Sequence, residues 1–418
     1  MAQLSDDCFA FGGELMSAAA ALALLKASVV PLPATERVPL RDSVGRILAE
    51  KLVATRNVPP ADNVAVDGYA VNFDDLNPAE ATSLPIGGRA AAGHPLRAPA
   101  SRGTAIRVFT GALLPEGTDT VLMQEDCKVA NGVVSIPTGI KRGANRRSAG
   151  EDVKAGTTVL AAGRRLRPQE VGLAASLGLI ELDVYRPLRV ALFSTGDELR
   201  EPGTPLPLGA IYDANRYTLQ ALLQGLGCAV SDLGILPDKS ESVRAALDVA
   251  ARDHELVMTS GGMSMGEEDH VKAAVEAQGR LHFWRLSIKP GRPVAMGQIG
   301  RVPFMGLPGN PVAVMVTFLL LARPLILLLS GAVDAGPRLY RVRTGFDYKK
   351  KPNRTEYVRA RLTRAPDGGW IAEKFPRDGA GILTSMVESD GLVEIGDGVA
   401  KLEAGATVDF LPFCEVIP

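Results

Sequence analysis

This 418-residue chain has few cysteines and almost no net charge. The four cysteines, Cys8, Cys127, Cys228 and Cys414, form no C-x-x-C pair and have no neighbouring histidine. This pattern excludes zinc-ribbon and disulfide-framework classes and is typical of a protein of the reducing cytosol. A balance of 46 Lys and Arg against 47 Asp and Glu gives a net charge of -1, which argues against a general nucleic-acid binder.

The sequence also lacks a clean membrane-spanning run of apolar residues. One apolar stretch, 15–32, is broken by Lys26, and acidic residues precede it where a signal peptide would be basic. A second stretch, 312–329, is interrupted by Arg323 and Pro324. We therefore expect both stretches to form buried or interface helices in a cytoplasmic protein with no membrane partner.

The length predicts several domains, because one core seldom grows to this size. The pattern predicts a multidomain α/β plus β fold of four parts. These are an α/β domain (12–34 and 188–331), a mixed stalk (35–54 and 156–187), an inserted mainly β domain (55–155) and a small C-terminal β-barrel (332–418). The two β regions contain short β-rich runs, which many Gly and Pro residues divide in the inserted domain.

Strand-like and helix-like segments alternate through 188–331. The expected strands are 188–194, 230–236, 256–259, 281–286, 293–297 and 302–305, and the expected helices are 215–227 with an N-cap Asn215, 240–252, 269–278 and a long helix capped by Asn310. This alternation predicts a parallel, doubly wound sheet, whose ligands bind at the carboxyl ends of the strands. The loops 195–198, 237–238, 260–262 and 306–310 should share that edge.

Three glycine-bearing loops, 259–270, 289–293 and 306–311, each follow a short apolar run. Glycine allows backbone N–H groups to approach an anion, and Lys289 and Arg292 add fixed positive charge. Carboxylates such as Asp269 lie beside this basic surface. The combination predicts a site for a phosphorylated ligand with a divalent metal ion.

Each of these motifs also has a plain structural interpretation. Glu198 could be solvated, Asp269 could cap the next helix, and the loop from Lys289 to Arg292 could be a turn. The Asp67-Gly68 pair could form a hairpin turn. The basic run 349–354 could be a solvated hairpin or a landing surface for an anionic ligand. None of the four histidines lies in a recognisable catalytic motif, so a covalent nucleophile is not favoured.

Taken together, the motifs resemble those of the molybdopterin molybdenumtransferase family, which includes the carboxy-terminal domain of gephyrin. They occur in order as VDGYAV, FTGALLPEGTDTVLMQED, GANRRSAGED, VALFSTGDEL, GAIYDANRYTL, TSGGMSMGEEDHVK, FWRLSIKPGRP and GLPGNPVA. Any one motif is weak, but the ordered set covers nearly the whole chain and is highly specific.

The resemblance implies an enzyme that inserts molybdenum from molybdate into adenylylated molybdopterin, with Mg²⁺-dependent release of AMP. It also implies a homodimer whose site lies between subunits, with no nucleic-acid partner. Molybdopterin adenylyltransferase and molybdoenzyme acceptors are further partners that it suggests.

The resemblance also implies roles for individual residues. The catalytic set is Asp67, Glu198, Asp238, Asp269 and Lys289, of which Glu198, Asp238 and Asp269 would hold the metal. The substrate-binding set is Thr110, Arg147, Asp152, Ser260, Gly261, Gly262, Arg285, Arg292, Pro308 and Pro311.

A few positions depart from the family pattern. Arg285 and Arg292 stand where Lys is common, and Arg offers a planar fork in place of a point donor. These changes leave the preference for molybdate over tungstate open. Two other functions stay open: a molybdopterin adenylyltransferase, which would lack the region from Asp67 to Asp152, and a gephyrin-like scaffold, which need not keep the carboxylates together.

Overall fold

The computed structural model describes residues 15–237, 239–261, 270–291 and 293–417. The chain divides into two compact units. The first comprises Met1–Glu50, Ala162–Arg167 and Leu182–Pro418, and the second comprises Lys51–Ala161 and Pro168–Glu181. The boundaries predicted for the four parts of the sequence stay predictions.

A seven-stranded sheet forms the centre of the first unit. Its strands, in spatial order, are Leu15–Met16, Gly279–Leu286, Pro293–Ile299, Val302–Leu307, Leu256–Ser260, Arg189–Thr195 and Ala229–Leu236. The last four of these are parallel to one another. Pro293–Ile299 runs antiparallel to both its neighbours, because only short connections join it to them and a parallel pairing would need a long crossover.

Helices cover both faces of this sheet, as the buried apolar strands predict. Ala18–Ser28, Ala214–Gly225 and Pro311–Thr317 pack on one face, and Ser240–Asp253 and His270–Gln278 pack on the other. Successive residues of the strand Arg189–Thr195 pack into the cores on opposite faces of the sheet. Val190 and Leu192 belong to the core on one face, and Ala191 and Phe193 belong to the core on the other. The predicted doubly wound α/β domain is confirmed.

The long apolar helix differs from the prediction in its continuity. Among the described residues, Pro311–Leu329 is the one helix long and apolar enough to cross a membrane, and 78% of its most apolar window is buried within the fold. A π-helical stretch at Phe318–Ala322 carries the helix through Pro324. The buried Arg323 donates from Nη1 to the Ala335 carbonyl over 3.2 Å, which allows a charged residue inside an apolar core.

The cap of the helix Ala214–Gly225 also differs from the prediction. Its N-cap is Asp213, whose carboxylate accepts from the Arg216 N–H over 3.1 Å, and Asn215 lies one residue inside the helix. Both residue types favour the N-cap position, so the sequence alone does not separate them. Asn215 is therefore free to bond other loops.

The C-terminal region closes into a five-stranded barrel, as predicted. Around the ring its strands are Thr355–Arg364, Trp370–Lys374, Tyr340–Thr344, Thr407–Pro412 and Gly391–Ile395, and the last of these pairs with the first. The short strand Ile288–Lys289 adds to Thr355–Arg364 in parallel, placing Lys289 opposite Glu356. Tyr348–Lys349 pairs with Lys401–Leu402, and short helices occupy Thr384–Val387 and Phe413–Val416.

The second unit is mainly β, as predicted. Its six-stranded sheet contains, in order, Thr120–Met123, Gly68–Val71, Ala105–Val108, Thr82–Ala90, Val133–Ile136 and Lys128–Ala130. Gly68 opens a strand of this sheet, so the hairpin-turn interpretation of Asp67-Gly68 is wrong. A Cβ on Gly68 would lie 1.7 Å from the Leu122 carbonyl oxygen, and only glycine allows that approach.

The two predicted stalk segments do pair with each other. Thr35–Pro39 forms a ladder with Glu181–Tyr185, and Leu52–Val53 forms another with Thr158–Leu160. The helix Pro168–Ser176 follows in the second unit. The predicted multidomain α/β plus β fold is therefore confirmed, and the stalk stays a prediction because its segments are divided between the two compact units.

Candidate functional site

Parallel strands of the first unit bring the predicted loops to one edge. The register pairs Thr195 with Leu236, Ser194 with Ser260, and Ser260 with Leu307, so these four strands end at the same level. Gly196 follows Thr195 and lies next to the Glu198 carboxylate, with the built Cβ position 2.7 Å from Oε2. Glu198 itself is exposed at this edge.

A polar clamp joins two of these loops. Asn215 donates from Nδ2 to Ser260 Oγ over 3.0 Å and to the Gly309 carbonyl over 2.7 Å. Ser260 Oγ in turn donates to the Pro308 carbonyl over 3.3 Å. Gly261 follows at φ +82, a backbone angle that favours glycine. Asn215 was predicted as a cap, and its role as a clamp was missed.

A cavity of about 580 Å³ opens beside this clamp, between the α/β sheet and the barrel of the first unit. Its wall includes Glu198, Gly261, Lys289 and Pro308 from the predicted site. Pro311 begins the neighbouring helix and is outside the cavity lining that the structure describes. The barrel completes the wall with residues that were not predicted, among them Tyr348, Glu356, Arg359 and Asp378.

A buried carboxylate organises the Lys289 side of this cavity. Glu356 is only 2% exposed. Its Oε2 accepts from Lys289 Nζ over 3.2 Å and from the Tyr348 hydroxyl over 2.8 Å, and its Oε1 accepts from Arg354 Nε over 2.8 Å. Burial raises the pKa of Glu356, but the bonds from Tyr348, Arg354 and Lys289 outweigh it and lower the pKa overall.

The basic run 349–354 forms part of this arrangement. It connects Tyr348–Lys349 to the next barrel strand, with Asn353 at φ +66 in the turn. Lys350 Nζ donates to the Arg354 carbonyl over 2.7 Å, and the Arg354 guanidinium lies on Glu356. The run is therefore an ordered turn between two strands that do not pair with each other, and its last residue supports the cavity wall.

Arg359 places a guanidinium on the barrel side of the cavity. The residue is 8% exposed, and burial lowers its pKa. Nε donates to Ser385 Oγ over 3.0 Å and Nη2 donates to the Gly379 carbonyl over 3.2 Å. Nη1 has no hydrogen-bond partner among the residues that the structure describes. An anion entering the cavity would meet this group.

A second set of predicted residues lies in the second unit. Asp67 Oδ1 accepts from both the N–H and the Oγ of Thr110, each over 2.8 Å. These two bonds lower the pKa of Asp67, the backbone bond contributing most. The Arg107 guanidinium stacks on Tyr69 and Phe109, at 5.1 and 4.7 Å from the ring centroids. Asp67 is therefore a fixed, ionised carboxylate.

Arg147 and Asp152 lie on the same unit and are both exposed. Arg147 pairs with Asn63 in a short antiparallel ladder. The Asp152 N–H donates to the Val58 carbonyl over 3.0 Å, which leaves its side chain on the surface. The described contacts thus hold the backbone of both residues and leave their side chains available.

Several predicted site residues cannot be placed. Asp238, Asp269, Gly262 and Arg292 lie outside the described residues, and Arg285 is described only through its strand backbone, opposite Pro293. Within the described ranges, no group of three or more His, Cys, Asp or Glu side chains could hold a metal ion.

The described part of the edge nevertheless suits a hard cation. Glu198 supplies carboxylate oxygens at the cavity wall. Three residues earlier, Thr195 Oγ1 is buried and has no hydrogen-bond partner among the described atoms. Oxygen donors of this kind are what Mg²⁺ prefers. Of the three predicted metal ligands, Glu198 alone lies in the described part of this edge, and its carboxylate is a donor that suits Mg²⁺.

Comparison with known proteins adds evidence along the whole chain. Sequence profiles match at 16–178 for the MoeA N-terminal region (domain I and II), at 191–327 for a probable molybdopterin binding domain, and at 341–413 for the MoeA C-terminal region (domain IV). The molybdopterin molybdenumtransferase of Haemophilus influenzae is 39% identical, over 92% of this chain and 95% of that protein.

Further relatives agree with this match. The Synechococcus elongatus protein of the same name is 35% identical over 94% of this chain and 99% of its own length. The crystal structure of the molybdopterin biosynthesis MoeA protein from Pyrococcus horikoshii superposes with a TM-score of 0.80 at 29% identity, covering 96% of this chain and 100% of that one. The chain therefore belongs to the molybdopterin molybdenumtransferase family of enzymes.

Proposed function

We propose that this enzyme inserts molybdenum from molybdate into adenylylated molybdopterin and releases AMP with the help of Mg²⁺. The observation that carries the proposal is the cavity at the sheet edge, where Lys289 and Arg359 face the same space as Glu198 and the Gly261 loop. Fixed cations suit a tetrahedral dianion such as molybdate, and backbone N–H groups beside glycines suit a phosphate.

The chain's own residues divide the chemistry between them. The phosphoanhydride bond between AMP and the pterin phosphate must break, so negative charge grows on the phosphate oxygens and has to be stabilised. Lys289 and Arg359 supply that stabilisation and hold the oxyanion, with Arg285 and Arg292 as further cations. Ser260, Gly261, Gly262, Pro308 and Pro311 shape the pterin-phosphate pocket.

Mg²⁺, held by Glu198, Asp238 and Asp269, would offset charge on the phosphates when it is bound. Removal of Mg²⁺ by a chelator should therefore abolish AMP release, and added Mg²⁺ should restore it.

The second unit, which carries Asp67, would complete the proposed site from the partner subunit of a homodimer. Asp67 is fixed and ionised by Thr110, so it is prepared to orient an attacking oxygen. Arg147 and Asp152 present exposed side chains from the same unit and would position the substrate. This arrangement explains why a functional set would be split between distant parts of the sequence.

AMP release from adenylylated molybdopterin tests the reaction directly. We expect release by the wild type to need both molybdate and Mg²⁺, and to be lost in Asp67→Ala. No release, but formation of the adenylylated compound from molybdopterin and ATP, would indicate an adenylyltransferase instead. Absence of both activities would favour a scaffold.

Mixing two inactive variants tests the shared site. A dimer of one Asp67→Ala subunit and one Lys289→Ala subunit has one intact site if each site draws Asp67 and Lys289 from different subunits. After unfolding and refolding an equal mixture, we expect about a quarter of wild-type activity, since half the dimers are mixed and each has one working site. No recovery would place both residues in the same subunit.

A further inference from the structure

We propose that Glu356 is a positioning residue that fixes the Lys289 ammonium group at the cavity wall without cancelling its charge. The proposal rests on the proposed function for its role in catalysis, but its structural part can be tested separately. Glu356 belongs to the C-terminal barrel, and none of the sequence motifs that define the site includes it.

The backbone sets the distance between the two residues. Ile288–Lys289 pairs in parallel with the start of Thr355–Arg364, and the register places Lys289 opposite Glu356. Neighbouring strands lie about 4.8 Å apart, which brings the two side chains within reach. The Lys289 side chain is half exposed while Glu356 is buried. The lysine therefore contacts a buried carboxylate and still lines the cavity.

The two carboxylate oxygens of Glu356 serve different partners. Arg354 donates to Oε1 from both Nε, at 2.8 Å, and Nη2, at 2.6 Å. Lys289 and the Tyr348 hydroxyl share Oε2. Because the guanidinium already neutralises the carboxylate, the hydrogen bond to Oε2 orients Lys289 and leaves its positive charge for a ligand.

The other charges at the cavity support this balance. Asp378 on the wall is paired with Lys374 Nζ at 3.0 Å. Among the described residues at the cavity and their ion-pair partners, four are basic and three are acidic, which leaves one positive charge in excess. The basic ones are Lys289, Arg354, Arg359 and Lys374, and the acidic ones are Glu198, Glu356 and Asp378. A cavity with that balance attracts an oxyanion, provided that Lys289 stays in place.

Glu356→Gln keeps the size of the side chain and removes its charge. We expect the KM for molybdate to rise about tenfold, because a hydrogen bond to a charged group is lost and the lysine becomes mobile. The KM for adenylylated molybdopterin and the kcat at saturating molybdate should stay within about threefold of wild type. A general loss of structure would instead change all three together.

A second measurement follows Lys289 without any substrate turnover. Trace acetylation of the folded protein, read by mass spectrometry, reports how reactive each lysine amine is. We expect Lys289 to react several-fold faster in Glu356→Gln, because the amine loses a carboxylate partner. Molybdate should slow the reaction in the wild type and protect much less in the variant.

Glu403→Gln is the matched control. Glu403 is on the same barrel and pairs with Lys401 at 2.7 Å, but both side chains are exposed, so neither the KM for molybdate nor the labelling of Lys289 should change. Should Glu356→Gln fail to fold, Glu356→Asp keeps the charge but draws the carboxylate back from Lys289, and should produce a smaller change of the same kind.

The outcomes separate the two proposals. A wild type without molybdate-dependent AMP release would contradict the proposed function, and the labelling would still decide whether Glu356 positions Lys289. Unchanged labelling together with an unchanged KM for molybdate in a folded Glu356→Gln protein would overturn the positioning role.

Discussion

The cavity beside Lys289 and the loop that carries Asp67 hold their carboxylates in opposite ways. Glu356 is buried and accepts from Lys289, Arg354 and Tyr348, so it supports cations. Among the described residues, the Asp67 carboxylate accepts only through Oδ1, from Thr110, and its Oδ2 has no partner. The first arrangement prepares a surface for an anion, whereas the second offers a free carboxylate oxygen to a substrate or a water molecule.

The largest expected effect comes from removing the cation on the cavity side. Lys289→Ala should lower kcat/KM with molybdate by about 100-fold or more, because a charge that stabilises growing negative charge is lost. Lys401→Ala, on an exposed ion pair of the same barrel, is the control and should match the wild type. A decrease in kcat/KM smaller than about threefold would contradict a catalytic role for Lys289.

The rigidity of the cavity side can be tested at Gly291, which follows Lys289 and Pro290. It has φ +99, and a Cβ there would lie 2.3 Å from Thr317 Oγ1. Gly291→Ala should lower the free energy of unfolding by about 3 kcal/mol, since strain and a clash add together.

Gly300→Ala provides the comparison for that measurement. Gly300 also has a positive φ, but the space around it is open, so about 1 kcal/mol is expected. Chemical denaturation of both variants measures the difference. Equal losses would mean that the loop after Lys289 is not tightly packed.

A change at Thr110 tests the open carboxylate of the other unit. The bonds from Thr110 lower the pKa of Asp67, so Asp67 stays ionised into acid, and the stability from these bonds is lost only as pH falls through the lowered pKa. Thr110→Val removes the hydroxyl bond and keeps the backbone bond. The pKa of Asp67 should rise, and the acid limb of the kcat/KM profile should move to higher pH.

The pKa itself can be followed by NMR titration of the Asp67 carboxyl carbon. Thr118→Val is the control. The Thr118 hydroxyl donates to the Pro115 carbonyl in the same unit, so its removal should leave the titration of Asp67 unchanged. A profile that does not move in Thr110→Val would mean that Asp67 does not control the acid limb.

The smallest effect is expected at Glu394, a barrel carboxylate that is supported by a hydrogen bond from Tyr357, whereas Glu356 is supported by the cations Lys289 and Arg354. Burial raises its pKa, and Asp409 directly opposite raises it further. A raised pKa means that Glu394 favours folding at low pH and opposes it as pH rises through the folded value. Glu394→Gln should therefore raise the Tm at pH 8 by about 2–4 °C.

The pH dependence of that gain is the check. The difference in Tm between Glu394→Gln and the wild type should shrink toward pH 4, where the wild-type side chain is protonated. A gain that is the same at both pH values would attribute it to packing instead of charge.

The sequence predicted the α/β half of the cavity better than the barrel half. Glycine loops after apolar strands carry a local signal, and parallel strands bring such loops to one edge. Gly261, Lys289 and Pro308, which line the cavity, were predicted in this way, and their roles stay predictions. The antiparallel strand Pro293–Ile299 was not distinguished, because its apolar run looks like the others.

Glu356 and Arg359 were missed because their importance depends on closure of the barrel. In an exposed barrel strand, charged residues usually alternate with apolar ones, and the run from Thr355 reads that way. The structure instead buries five successive residues, from Glu356 to Ala360. The available signal in the sequence was that Glu356 and Arg359 lie within a short run of mostly apolar residues. Why two charged residues are buried there becomes clear only from the strands that pair with this one.

The added strand Ile288–Lys289 has a consequence for exchanging parts between relatives. Its backbone hydrogen bonds join the segment after the α/β sheet strand Gly279–Leu286 to the barrel strand Thr355–Arg364. The sheet and the barrel are therefore connected beside the cavity as well as through the covalent chain. A chimera that replaces the barrel at the connection near residue 335 would also replace the strand that holds this loop. Transplanting the barrel and the segment 287–291 together is the exchange that preserves the ladder.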